Sequence, residues 1–211
     1  MKQFQKILST IKNKGIKKIH KGEKIFIFGQ KLNFDLSEGF PILTIQKSNF
    51  NKSLDSVLRD LRFYEEEISL LKGDPLKIFY LNKDNLSLQF YFTPNLKTDL
   101  KNNWSNYEHE VDHKKIPYGK LNLICFIPTQ ELLIDLFDQI SKYSLLLSIL
   151  SKKNNYFPGE LIYMIGEGYI DTTQLEKVNE LLLKEPLPSP KLFFIDDDIN
   201  NVELINYRFN L

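Results

Sequence analysis

The segment from Lys120 to Leu150 limits the fold more than any other part of the chain. Lys120-Leu-Asn-Leu-Ile-Cys-Phe-Ile127 is an almost unbroken apolar run of strand length, the pattern of a strand buried on both faces. Pro128 and Thr129 then open a stretch whose apolar residues continue from Leu132 to Leu150. Read as one helix, with Thr129 as N-cap and Glu131 in the first turn, this stretch is apolar around much of its circumference. Such a helix has little polar face to give to water. It is expected at the centre of the core, with a buried strand delivered directly to it.

The rest of the chain supplies elements that can wrap that centre. Residues 2–14 set Phe4, Ile7, Leu8 and Ile11 on one helical stripe that Gly15 can stop. Residues 24–29 and 31–36 read as two short strands around a Gly29-Gln30 turn. Leu54, Val57, Leu58 and Leu61 mark a helix over 52–63. Strands are expected at 76–82 and 86–92, then at 160–165 before a Gly166-Glu-Gly168 turn, and finally near 191–195 and 202–209, with a helix over 173–184. Residues 93–118 are polar and carry no sustained apolar period, so they read as an inserted excursion. No repeat or long linker divides the 211 residues, which are expected to form one domain.

Composition removes several function classes. A net charge of +1, from 28 basic and 27 acidic residues, gives no field to attract nucleic acid or an anionic membrane. One cysteine rules out an internal disulfide framework or a cysteine-rich zinc module. No apolar run approaches the roughly 18 residues of a spanning helix, and the N-terminus has no secretory pattern, so an intracellular site, cytoplasmic or organellar, is expected. Alanine is absent, lysines number 25 against three arginines, and there are 18 asparagines. Folding physics gives no reason to avoid alanine, the best helix former, so this bias reads as the mark of an AT-rich coding genome. Lysine runs such as Lys17-Lys18 are discounted accordingly as functional signals.

Several phrases in a fixed order carry a resemblance. They are Met1-Lys-Gln-Phe4, Phe28-Gly29, Leu32-Asn-Phe-Asp-Leu-Ser-Glu-Gly-Phe-Pro-Ile-Leu-Thr44 and Gln89-Phe-Tyr91, then Tyr143-Ser-Leu-Leu146, Pro158-Gly-Glu-Leu161 with Gly166-Glu167, Leu187-Pro-Ser-Pro-Lys-Leu192 and Tyr207-Arg-Phe209. This order resembles the thymidylate synthase family over most of the chain outside about residues 62–118. The resemblance implies an α/β fold of the α+β type. A bent mixed β-sheet would pack on a long central core helix with flanking helices, and the sheet would meet a second subunit's sheet in a homodimer. It also implies a shortened middle near 62–88, ahead of the excursion.

The chemistry implied by the resemblance does not carry over position by position. The family's thiolate nucleophile lies in a Pro-Cys-His phrase that is missing here; Asp84 falls near that place, and Cys125 lies within a strand. The family's general-base glutamate corresponds to Ser56, and its phosphate-clamping Gln-Arg-Ser phrase to Ile127-Pro128-Thr129. Its paired cross-dimer arginines correspond to Leu76-Lys77, its base-reading asparagine to Gln139, and its sugar-holding histidine and tyrosine to Tyr169 and Asp171. Glu167 stands for an aspartate, and Lys21 for a phosphate-loop arginine. Lys21, Lys77, Gln139, Glu167, Tyr169 and Asp171 are therefore the candidate binding residues. Their bland reading is drifted positions kept for packing.

These losses together lead to the expectation of a catalytically inactive family member, not an enzyme and without a cofactor, whose role is structural or interaction-based. Its partner would be a second copy across the sheet face or a heteromeric complex. One alternative is a nucleotide or small-anion binding module in the remodelled pocket, and another is a pyrimidine C5-modifying enzyme with an unidentified nucleophile. His109-Glu-Val-Asp-His113 spells the H-E-x-x-H pattern that places two imidazoles on one helix face for zinc. Its polar neighbours and Pro117 argue against a zincin helix, so His109 and His113 rank only as a runner-up metal pair, with Glu131 as a conceivable third ligand.

Overall fold

The structure, a computed structural model, describes residues 2–19, 22–69, 79–83, 86–94, 117 and 119–210. Helix α1 (Lys2–Lys14) buries Phe4, Ile7, Leu8 and Ile11. It ends at Gly15, where a side chain's Cβ would lie 2.3 Å from the Ile11 carbonyl oxygen. Six strands make one mixed sheet in the order β1 (Ile16–Ile19), β2 (Glu23–Asp35), β6 (Phe157–Asp171), β5 (Gly119–Glu131), β4 (Leu86–Pro94) and β3 (Phe79–Lys83). Only the central β5–β6 pair is parallel. The crossover between these two strands contains helix α3 (Leu136–Lys153), as a parallel connection requires. Helix α2 (Phe50–Ser69) packs on α3, α1 on β2, and α3 on β5 and β6. Helix α4 (Leu175–Leu183) packs on α1, and hairpin β7–β8 (Lys191–Phe194, Val202–Ile205) completes the described elements.

The helices cover one face of the sheet. Into it point Leu32, Leu121, Leu123, Cys125, Leu161, Tyr163 and Ile165, all buried in a single core with α3. Part-way along, three neighbouring strands exchange their inward and outward positions. In β6 the core-facing residues are 161, 163 and 165, then 168 and 170; in β2 they are 25 and 27, then 32, with Phe26 buried on the opposite side; in β5 they are 121, 123 and 125, then 130. The switch falls on Gly29, Gly166 and Pro128, which lie side by side across the sheet. Gly29 has φ +65°, a left-handed conformation that glycine adopts without a Cβ penalty. At Gly166 a Cβ would come within 2.7 Å of the Pro128 carbonyl oxygen. This line bends the sheet, as the expected bent mixed sheet and central helix require.

Several expected boundaries are corrected. Residues 24–36 form one strand bent at Gly29, because β6 pairs with β2 on both sides of the bend. Gly166-Glu-Gly168 is likewise inside β6 and forms no turn. Residues 129–131 extend β5, so Thr129 does not cap the central helix, which begins at Leu136 after Asp135. The last strand stops at Ile205, and Tyr207 instead braces the loop before α2. Its hydroxyl donates to the Leu43 carbonyl at 2.9 Å and accepts from the Ser48 amide at 3.0 Å. Of the excursion expected at 93–118, residues 93 and 94 instead close β4, while 95–116 and 118 lie outside the described residues.

Candidate functional site

Beyond the bend, alternation along β6 sends Glu167, Tyr169 and Asp171 to the face away from the helices. Their partners on β2 are Phe28, Phe26 and Lys24 respectively. The Lys24 ammonium sits 4.2 Å above the Tyr169 ring, and the Phe26 and Tyr169 rings are 5.7 Å apart. From β1, the Lys18 ammonium lies 4.9 Å from the Phe26 ring and 3.3 Å from the Glu167 carboxylate. A cation above a ring in this range is attracted by the negative ring face. Two lysines therefore flank a pair of neighbouring aromatic rings across three strands.

The third wall comes from β5 and the turn after β6. Glu131 is the β5 neighbour of Tyr169, and its carboxylate accepts from the Gln174 side-chain amide at 3.0 Å. The Asp171 carboxylate accepts from the Thr173 amide at 2.9 Å and the Thr173 hydroxyl at 2.6 Å. The Gln174 side chain returns a bond to the Asp171 amide, completing a capping box. The two Thr173 donors hold the Asp171 carboxyl below its ordinary range. Burial, followed by the Glu131 and Asp135 carboxylates, raises the Tyr169 phenol above its own. At neutral pH Tyr169 thus offers a neutral hydroxyl, flanked by a lysine and two carboxylates.

The six candidate residues therefore divide. Glu167, Tyr169 and Asp171 share one side of one strand. Gln139 is half-buried in the first turn of α3, on the helical side of the sheet, and no hydrogen bond joins its side chain to those three. Lys21, Lys77, Asp84, His109 and His113 lie outside the described residues. Among the described residues no group of three metal-ligating side chains comes together. Lys24, Lys18 and Phe26 were missed as site residues. The two-residue spacing Lys24-Phe26-Phe28, inside the strand expected at 24–29, marks Lys24 and Phe26, whereas no sequence pattern marks Lys18 on β1.

Cys125 is fully buried in β5, and burial pushes its thiol well above the ordinary range. A thiol so placed is neither ionised nor reachable. Ser56 is half-buried on α2, and Pro128 sits exposed on the bend. On the same outer face, on the other side of the bend, lies a recess of about 410 Å³. Asp35, Tyr91, Asn122, Ile124, Glu160 and Ile162 are among its lining residues. Among the described residues no helix is long and apolar enough to cross a membrane.

A family model described as thymidylate synthase matches residues 82–210. A curated relative, the thymidylate synthase of Mycoplasma mobile, is 23% identical over 277 aligned positions, which cover 99% of this chain and 96% of that protein. Both matches are to an enzyme family, which overturns the expectation that this chain is no enzyme.

Proposed function

The chain belongs to the thymidylate synthase family, and from that premise we propose that it works as a subunit of a sheet-to-sheet dimer, with itself or with a related subunit. The observation that carries this reading is the uncovered outer face. On it Tyr91 is 49%, Phe126 41% and Met164 40% exposed, around half-buried Ile124 and Ile162. Contiguous apolar residues on an open sheet cost free energy in water, and fully burying one such side chain contributes about 1.5–3 kcal/mol. The family arrangement, two sheets face to face, would bury this patch and no other element of the chain covers it among the described residues. Sedimentation velocity at about 10 µM tests the reading. A dimer is expected, reduced to monomer by Phe126→Lys with Met164→Lys; a wild-type monomer without a captured family subunit refutes it.

A second reading, recognition of a pyrimidine nucleotide or similar small anion, is favoured by the Lys24–Tyr169 stack beside Glu131 and Lys18. The ring can stack or donate from its hydroxyl, and the ammonium groups can meet a phosphate. Titration with uridine monophosphate should raise the melting temperature of the wild type and not that of Tyr169→Ala. Release of tritium from C5 of the same nucleotide would extend binding to turnover. No shift and no release with a panel of pyrimidine nucleotides defeats this reading and leaves the first intact.

A further inference from the structure

We propose that Gln174 is the positioning residue of the site beyond the bend. It holds the Glu131 carboxylate beside Tyr169, so that an acceptor and a hydroxyl donor together meet a ligand edge carrying an N–H next to a carbonyl. The base of uridine monophosphate presents such an edge. This rests on the nucleotide reading above and adds to it the residue that sets the acceptor and the ligand edge that it reads. Glu131 ends β5 and lies directly beside Tyr169 of β6. The ladder runs one step further, where the Leu132 amide donates to the Tyr169 carbonyl at 3.0 Å. Backbone pairing therefore fixes where the Glu131 side chain starts. A glutamate keeps several rotatable bonds beyond that point, and strand pairing alone does not order its carboxylate.

Gln174 supplies what the strand does not. It closes the turn Thr172–Gln174 that follows β6. Its side-chain oxygen accepts from the Asp171 amide at 2.9 Å, and its side-chain nitrogen donates to the Glu131 carboxylate at 3.0 Å. The first bond belongs to the capping box and serves the turn itself. The second reaches 43 positions back to another strand, and capping has no use for it. With both ends engaged, the amide has one orientation. Turned over, its oxygen would face the carboxylate and its NH2 group the Asp171 N–H. Thr173, one residue earlier, fixes the Asp171 carboxylate in the same way. Consecutive residues of one turn thus hold both carboxylates next to Tyr169.

The groups left unfilled define the ligand. Gln174 engages one oxygen of Glu131, and neither the other oxygen nor the Tyr169 hydroxyl makes a hydrogen bond among the described residues. A carboxylate oxygen only accepts, whereas a neutral phenol can donate. Side by side they match an N–H flanked by a carbonyl, and a ligand edge made of acceptors alone would be repelled by the carboxylate. Lys24 over the Tyr169 ring and Lys18 over the Phe26 ring bring positive charge to the same surface, where a phosphate can meet it. Because Gln174 orders Glu131 before the ligand arrives, that ordering is not charged against binding.

Exchange of the two partners tests this, by isothermal titration calorimetry with uridine monophosphate and by urea unfolding of each protein without ligand. Gln174→Glu keeps the acceptor for the Asp171 amide, and so the turn, but sets an oxygen against the Glu131 carboxylate. Glu131→Gln keeps the bond to Gln174 but puts a donating NH2 group where the free oxygen was. Each alone should weaken binding about tenfold. Glu131→Gln combined with Gln174→Glu reverses the bond: the amide at 131 donates to the carboxylate at 174 and leaves its own oxygen for the ligand. Affinity should then return to within about threefold of wild type. If the exchange mends only the unfolding free energy and all four proteins bind alike, the bond is merely structural; the proposal is overturned and the nucleotide reading stands. Additive losses of affinity with no recovery in the exchanged pair overturn it equally. A wild type that does not bind uridine monophosphate also overturns it, and the nucleotide reading falls as well if the other pyrimidine nucleotides fail.

Discussion

Removing the hydroxyl of Tyr163 should destabilise the fold although it changes almost no packing volume. Tyr163 is 0% and Gln130 5% exposed, and the Tyr163 hydroxyl donates to the Gln130 side-chain oxygen at 2.9 Å. The Gln130 amide nitrogen is already committed to the Glu131 carbonyl at 3.1 Å, so the side chain cannot turn to find water. Tyr163→Phe therefore leaves a buried acceptor without a donor, which costs about 1–3 kcal/mol. For a chain of this size that is a fall in melting temperature of about 2–4 °C per kcal/mol. Urea unfolding followed by circular dichroism measures the loss. The decisive comparison is the double variant Tyr163→Phe with Gln130→Leu, in which both polar partners are gone. Its cost should fall short of the sum of the single costs by at least about 0.5 kcal/mol. A Tyr163→Phe cost below about 0.5 kcal/mol, or additive single costs, would refute the argument that this bond closes a dry site.

Three further outcomes follow from the same geometry. Gly166→Ala should lose about 1–3 kcal/mol in urea unfolding, because its Cβ meets the Pro128 carbonyl at 2.7 Å and that strand is fixed on both sides; a neutral change means the bend has slack. Cys125 should react with a thiol reagent such as DTNB only after denaturant is added, since burial both shields the thiol and disfavours its thiolate; fast reaction of the native protein contradicts the placement of β5. The Asp171 carboxyl is held low by Thr173, so its stabilisation is complete above the ordinary carboxylate value and is lost as pH falls through the lowered one. The melting temperature gap between wild type and Asp171→Asn should therefore narrow from neutral pH to about pH 2; a gap independent of pH would show that the carboxylate charge plays no part.

Much of the fold could be read from the chain because local periodicity and global burial agree. The α1 stripe, the α2 stripe and the apolar run of β5 each point at the core they enter. The errors share one cause. A glycine pair and a proline look like turns along the sequence, but Gly29, Gly166 and Pro128 are neighbours only across the sheet. Each makes sense as part of a shared bend. The start of α3 was misread for a related reason, since Thr129 and Glu131 look like a helix N-terminus but belong to β5, and a loop separates them from Leu136. The site was legible in part. Glu167, Tyr169 and Asp171 were named from the family pattern, and alternation along β6 brings them to one surface. Lys24 and Lys18 were dismissed with a lysine-rich background, because charge alone does not reveal which ammonium lies over a ring.

The sequence by itself determined family membership, the strand–helix core around Lys120–Leu150 and the lack of any second cysteine, since these depend on residue identity and short-range period. Tertiary structure alone decided that Cys125 is sealed, that the sheet bends along one line, and that Glu131 stands beside Tyr169 within reach of Gln174. Those three facts depend on register between strands far apart in the chain. Register is set by the packing of the whole sheet on α3, a property that no window of sequence contains.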